Sequence, residues 1–213
     1  MKYVLAALAM STTVGQASAQ LSWVEPVAGY ARFKVEQGNA STTADGAVFG
    51  LRGRVQVEGI WFVSAEVQHA PLSGDTQGAD YDLDYTLYRI GVGAQNDIGE
   101  GGANASVKAE YVYLNTETKN LAGGDIDDGQ SGASFTLRIE RNLQPGAVVL
   151  PYIEAAYIGL SDFDAAEGTI GVQLALSGPL RPFIEYRYIQ FNGDANVDLV
   201  SSNVQAGVRW TFD

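Results

Sequence analysis

The residues that could most directly do chemistry are a histidine, a serine and an aspartate that follow one another closely. His69 is the only histidine of the 213 residues, and Ser73 and Asp75 come four and six residues later. A histidine beside a serine and a carboxylate can activate the hydroxyl group for hydrolysis or acyl transfer. The spacing is common, however, and no nucleophile-elbow motif surrounds the serine. We therefore predict no catalytic residues and no enzyme, with a hydrolase that uses His69 as an alternative.

Acidic residues form the second group with potential chemistry. Fourteen of them lie in segments between the apolar stretches, where Lys119 is the single basic residue. Carboxylate oxygens are the ligands that Ca²⁺ prefers, and Asp125-Ile126-Asp127-Asp128-Gly129 resembles part of a calcium loop but lacks the downstream glutamate. We predict a solvated acidic rim with no metal and no cofactor. Its members are Asp45, Asp75, Asp80, Asp82, Asp84, Glu117, Asp125, Asp127, Asp128, Asp162, Asp164, Glu167, Asp194 and Asp198.

The elements that position these residues are indicated by an alternation of apolar and polar side chains from Val27 onward. Successive side chains of a strand point to opposite faces, so a period of two predicts strands with one apolar and one polar face. Ten such segments can be counted along the chain. In the last of them one parity carries Val204, Ala206, Val208, Trp210 and Phe212, and the other carries Asn203, Gln205, Gly207, Arg209 and Thr211.

The connections between the segments indicate how the strands are arranged. Long polar connections at 37–45, 71–84, 115–130 and 192–201 alternate with short turns marked by glycine or proline, as in membrane barrels with long loops on one side. Each strand has roughly ten residues, enough to cross a bilayer when tilted. We predict an all-β, antiparallel up-and-down transmembrane β-barrel of ten strands, with eight as the alternative. A soluble lipocalin-like barrel would instead point its apolar face inward.

In such a barrel the polar parity faces the lumen. An Arg or Lys that faced lipid at the bilayer midplane would cost about 2–4 kcal/mol, whereas charges inside a narrow barrel must be paired or hydrated. We predict a structural network of ion pairs, with a narrow ion path as the alternative. The residues assigned to the lumen are Arg32, Lys34, Glu36, Arg52, Arg54, Glu58, Glu66, Arg89, Lys108, Glu110, Arg138, Glu140, Glu154, Glu185, Arg187 and Arg209.

Aromatic residues gather near the ends of the apolar parity. Side chains of this type mark the membrane–water interfaces of β-barrels. The predicted interface aromatics are Trp61, Tyr88, Tyr111, Tyr113, Tyr157, Tyr186, Tyr188, Trp210 and Phe212.

The N-terminus has the features of a secretory signal peptide. Lys2 precedes a short apolar run at Tyr3–Met10, and Ala17-Ser18-Ala19 forms a cleavage site of small residues. We predict a signal peptide over residues 1–19 and a single barrel domain over residues 20–213. The net charge of −12 argues against nucleic-acid binding, and the absence of cysteine means that disulfides do not hold the fold.

The closing strand, with Trp210 and Phe212 on its apolar face, resembles the C-terminal signature of small bacterial outer-membrane β-barrels. This superfamily includes the OmpA transmembrane domain, OmpX-like proteins and short porin-family barrels; here Asp213 follows the final aromatic residue. The resemblance implies a monomer in the Gram-negative outer membrane, in contact with lipid and lipopolysaccharide and assembled by the barrel-assembly machinery through its last strand. It implies a structural or surface-interaction role with at most a narrow channel. A porin-type channel for ions or small solutes is one alternative, and a lipid-modifying hydrolase that uses His69 is a second.

Overall fold

Ten long strands make up nearly all of the structure. The computed structural model describes residues 22–37, 40–76, 79–99, 102–119, 126–143, 147–176, 178–193 and 197–212. No helix in these ranges is long and apolar enough to cross a bilayer. The strands are β1 (Ser22–Gln37), β2 (Ala40–Glu58), β3 (Trp61–Thr76), β4 (Ala79–Ile98), β5 (Ala103–Lys119), β6 (Ile126–Arg141), β7 (Val149–Leu160), β8 (Phe163–Leu174), β9 (Leu180–Gly193) and β10 (Val197–Phe212).

The strands close into a barrel. Each strand pairs with the next one along the chain, and β1 pairs antiparallel with β10, for example at Val27 with Gly207 and at Tyr30 with Val204. Closure leaves no open sheet edge, which is the condition that a β-structure must meet to cross lipid. The predicted antiparallel barrel of ten strands is confirmed, and the alternative of eight strands is wrong.

The two ends of the barrel are named here by the connections they hold. The inner end contains Ser22 and Phe212, the first and last described residues, and the β2–β3 turn at Gly59, whose φ is 56°. The outer end contains the links from β1 to β2, β3 to β4, β5 to β6, β7 to β8 and β9 to β10.

The strands extend much further toward the outer end than the sequence predicted. Most of segments 71–84 and 115–130 lie in strands, because β3 runs to Thr76, β4 begins at Ala79, β5 runs to Lys119 and β6 begins at Ile126. The same holds at 37–45, since β2 begins at Ala40. The prediction of long loops in these segments is therefore wrong, and the polar residues that suggested them belong to the barrel wall.

The reason is that the alternation inverts between the two ends. Toward the inner end the outward side chains are apolar and exposed, such as Ile90 at 58%, while inward Arg89 is buried. Toward the outer end the inward side chains are apolar, such as Leu83, while outward Ser73 and Asp82 are polar and exposed. Near the inner end, lipid against the outward face of the wall accounts for the apolar side chains there. Near the outer end, water against the outward face accounts for the polar ones, so this part of the barrel projects beyond the membrane.

We expect Ile90→Arg to destabilise the folded barrel by about 2–4 kcal/mol, because it places a charge in the lipid-facing belt. Ser73→Arg, on the outward face of the projecting part, is the matched control and should change stability by less than about 0.5 kcal/mol. Reversible urea unfolding of both variants in lipid vesicles measures the difference. Equal effects of the two substitutions would contradict the assignment of the lipid belt.

Candidate functional site

The centre of the lumen is bridged by ion pairs between nearly opposite walls. Arg187 on β9 donates from Nη1 to Glu66 Oε1 on β3 at 2.6 Å and from Nε to Glu167 Oε1 on β8 at 2.9 Å. Arg89 on β4 also binds the Glu167 carboxylate. All four side chains are almost completely shielded from solvent. Two arginines and two glutamates thus form a compact, charge-balanced cluster across the barrel.

A second ionic cluster lies closer to the inner end. Arg52 donates to both carboxylate oxygens of Glu185 at 2.9 and 3.1 Å and lies 3.0 Å from Glu25. Arg209 also binds Glu25, and its Nη1 lies 3.5 Å from Glu140. Because β1, β2, β6, β9 and β10 all contribute, this cluster joins five of the ten strands.

Arginine–aromatic stacking fills much of the remaining space near the inner end. The Arg54 guanidinium lies 4.3 Å from the centre of the Phe62 ring, and Arg209 lies 4.4 Å from the centre of the Trp23 ring. Arg138 stacks on Tyr152 at 4.0 Å. Such stacking stabilises a guanidinium that has left water.

The void left at this level is small. It has a volume of about 40 Å³ and lies among Trp23, Arg52, Arg54, Lys108 and Arg138, with other neighbours of the same clusters. A void of this size holds only a few water molecules at roughly 10–15 Å³ each. Among the described residues, side chains thus occupy most of the space around this void, and we call the two ionic clusters, centred on Arg187 and Arg52, the plug.

Twelve of the sixteen residues assigned to the lumen lie there. Lys108 is among them and lies 3.0 Å from Glu110, which also accepts hydrogen bonds from Ser134 and Thr136. The twelve are Arg52, Arg54, Glu66, Arg89, Lys108, Glu110, Arg138, Glu140, Glu154, Glu185, Arg187 and Arg209.

The prediction is wrong for Arg32, Lys34 and Glu58. Arg32 and Lys34 lie on the outward parity of β1, because the inward parity carries the apolar Ala31 and Phe33. Glu58 is exposed at the end of β2, beside the turn. The side chain of Glu36, the fourth residue, lies outside the described part of the structure.

Two central carboxylates are not among the lumen residues predicted from the sequence. The alternation in the sequence predicts a first strand from Val27, but β1 begins at Ser22 and buries Glu25 against Arg52 and Arg209. The acidic rim predicted from the sequence includes Glu167, but β8 begins at Phe163 and turns Glu167 inward. A signal existed for Glu167, because it shares the parity of Thr169 and Gln173 on the polar face of β8.

The remaining rim residues lie on several parts of the outer end. Asp45, Asp75, Asp82 and Asp84 are in strands, whereas Asp162 is in the β7–β8 turn. Asp125, Asp194 and the side chain of Asp198 lie outside what the structure describes. Within the described ranges, no group of three or more His, Cys, Asp or Glu side chains is placed to hold a metal ion. The other rim members, Asp80, Glu117, Asp127, Asp128 and Asp164, also lie in strands.

All nine predicted interface aromatics face outward and are exposed. Tyr30, Phe49 and Phe135 share this outward surface, although the sequence reasoning did not include them. Trp210 and Phe212 pack edge to face at 6.1 Å at the inner end.

The histidine and serine are not brought together. His69 lies on the outward face of β3, and its Nδ1 is 2.9 Å from Thr86 Oγ1. Ser73 lies four residues further along the same extended strand, roughly 13 Å away at 3.3 Å per residue, and it donates a hydrogen bond to Asp82. The geometry gives no support to a nucleophile activated by His69.

A chamber lies above the ionic plug, toward the outer end. It is a cavity of about 310 Å³ whose walls are mainly apolar side chains of the inverted parity. We refer to it below as the outer chamber. Its apolar walls are formed by Phe33, Val35, Tyr81, Leu83, Leu114, Phe163, Phe191 and Leu199.

No family model and no curated protein matches this sequence significantly, but solved structures share its fold. The transport unit of the autotransporter AIDA-I from Escherichia coli has a TM-score of 0.55 at 13% identity, covering 96% of this chain and 93% of that one. The outer membrane protease OmpT from Escherichia coli has a TM-score of 0.53 at 8% identity, covering 93% and 100%. The translocator domain of the autotransporter NalP from Neisseria meningitidis has a TM-score of 0.52 at 12% identity, covering 92% and 90%.

The closed barrel, the lipid-facing belt and these structural neighbours define an outer-membrane β-barrel of the Gram-negative type. At this level of identity the likeness concerns the fold alone. The predicted signal peptide, residues 1–19, lies outside the described residues.

We expect Arg187→Ala to destabilise the barrel by about 3–5 kcal/mol, because it leaves Glu66 and Glu167 buried with one partner fewer. Lys119→Ala is the matched control, since it removes an exposed pairing with Glu117 and Asp84 and should cost less than about 1 kcal/mol. Urea unfolding in vesicles measures both values. A cost for Arg187→Ala no greater than that of the control would show that the cluster is not a structural tie.

Proposed function

We propose that this protein is a closed outer-membrane barrel with a structural or surface-interaction role, not an open porin. The observation that carries the proposal is the ion-pair plug, in which Arg187, Glu66, Glu167 and Arg89 join nearly opposite walls. A small barrel has little bore beyond its side chains, and here arginine–aromatic stacking occupies much of what remains.

The outer end supports the surface-interaction part of the proposal. The barrel wall projects beyond the lipid belt, and its outward face there carries exposed Asp75, Asp80, Asp82 and Asp127. This surface presents negative charge on a stiff strand framework. It is suited to partners that carry positive charge or bound divalent cations, including the cation-bridged headgroups of lipopolysaccharide.

The membrane-facing part of the proposal rests on the outward belt. Its apolar side chains contact lipid, and the exposed aromatics lie toward its borders. The last strand, with Trp210 and Phe212 outward, is the segment that we propose the barrel-assembly machinery binds. A monomer is sufficient for this role, since one chain closes the barrel.

We expect the refolded mature chain to be electrically silent in a planar bilayer, because the ion pairs of the plug join nearly opposite walls of the lumen. Insertion is checked separately by heat-modifiable gel mobility and by protection from protease in vesicles. Discrete, salt-dependent conductance steps from the inserted barrel would overturn the closed-barrel proposal.

A matched pair of variants locates any current that is seen. Arg187→Ala changes the plug, whereas Tyr186→Ala changes the neighbouring outward side chain on the same strand. Steps altered by the first substitution alone would place the path through the lumen and favour a narrow channel.

A further inference from the structure

The outer chamber has the size and lining of a ligand site. Its volume of about 310 Å³ lies at the lower end of the range for small-molecule pockets, roughly 300–1,000 Å³. Phe191 packs edge to face with Phe163 at 5.5 Å and against Phe33 at 6.3 Å, which gives the chamber a rigid aromatic side. When an apolar guest replaces water in an apolar cavity, apolar surface of both guest and protein is removed from water, and this stabilises the complex.

The chamber ends blindly at the plug. Beneath it Tyr85, Leu87, Val112, Ile158 and Ile189 pack closely and leave a void of only about 20 Å³. Arg89 borders this layer and begins the ionic cluster below. Among the described residues, the packed layer and the ionic cluster form a floor to the chamber, which is the geometry of a binding site.

The polar side chains that line the chamber come mainly from β5 and β6. Gln130 donates from Nε2 to Asp162 Oδ2 at 2.6 Å and to Asp128 Oδ2 at 3.0 Å, which links β6 to the β7–β8 turn. Asp128 and Gln130 both line the chamber, as do Thr116 and Thr118. The polar end of a guest would thus meet a carboxylate and hydrogen-bonding groups, while its apolar body lies deeper.

The charge around the mouth selects the sign of that polar end. Asp128 lines the chamber, and the outward face of the surrounding wall carries Asp75, Asp80, Asp82 and Asp127 as well as Arg32 and Lys34. Lys119 is held by Glu117 and Asp84. Carboxylates outnumber cations around this end, and an excess of one sign of charge concentrates ligands of the opposite sign, so the mouth favours cations over anions.

We propose that the outer chamber binds a cationic amphiphile, with its hydrocarbon or aromatic body between Phe33, Leu83 and Phe191 and its positive end beside Asp128. The inference goes beyond the proposed structural or surface-interaction role, because it assigns a ligand class to the lumen. It is tested by binding, whereas the closed barrel is tested by conductance, so either can fail alone.

The test compares two probes with the same tail and opposite charge. Octyltrimethylammonium and octanoate are titrated calorimetrically into the full barrel in lipid nanodiscs, and empty nanodiscs give the lipid background. We expect saturable binding of the ammonium probe at one site per barrel and roughly tenfold weaker binding of octanoate. Equal or tighter binding of octanoate, or no saturable binding of the ammonium probe above background, would overturn the proposal.

Two matched pairs of variants place the probe in the chamber. Leu83→Trp fills the cavity, and Ile90→Trp adds the same side chain to the lipid-facing side of the same strand. We expect the first to weaken ammonium binding roughly tenfold, through lost burial of the tail, and the second to leave it unchanged. Equal affinities of the two variants would place the probe outside the chamber.

The second pair tests the charge. Asp128→Asn removes the carboxylate that lines the chamber, and Asp127→Asn removes its outward neighbour. We expect Asp128→Asn to reduce the ratio of ammonium affinity to octanoate affinity several-fold, and Asp127→Asn to reduce this ratio much less. An unchanged preference in Asp128→Asn would overturn the role of this carboxylate. Heat-modifiable mobility confirms that each of the four variants is folded.

Discussion

The rest of the structure depends on one constraint: a charged side chain inside a membrane-spanning barrel must pair with an opposite charge that lies across or along the lumen. Lipid surrounds the wall, and the bore is too narrow to hydrate many ions. Arg187 therefore binds Glu66 and Glu167 from nearly opposite walls, and Arg52 binds Glu25 and Glu185. These contacts cross-brace the sheet and occupy the charged part of the bore, so the interactions that stabilise the barrel are also those on which the proposed closed barrel rests.

The inversion of side-chain polarity toward the outer end gives the molecule two different interiors. Within the lipid belt the wall is apolar outside and polar inside, whereas beyond it the wall is polar outside and apolar inside. The plug and the outer chamber meet near Arg89, where the charged and apolar interiors join. A protein with one uniform polar lumen would have no place for an apolar guest. In this barrel the plug forms the floor of the outer chamber, and the projecting strands form its walls.

The acidic outer surface and the outer chamber lie at the same end of the barrel. Both exist because the strands continue past the membrane. Long flexible loops would expose the carboxylates without holding them in place. Strands instead fix Asp128 inside the mouth and Asp127 outside it, by the alternation of the backbone alone. Surface charge and chamber selectivity are thus set by adjacent residues.

The sequence by itself determined the ten strands, the closing strand with Trp210 and Phe212 outward, and most of the charged residues that the lumen contains. Those features depend on a two-residue period, which is local. Only the tertiary structure decided which parity of β1 faces inward, that Glu25 and Glu167 complete the ion pairs, and that an apolar chamber lies above them. A strand's alternation shows that its faces differ without showing which one is inside. That choice depends on lipid or water outside the wall and on partners far away in the chain, such as Glu66 for Arg187.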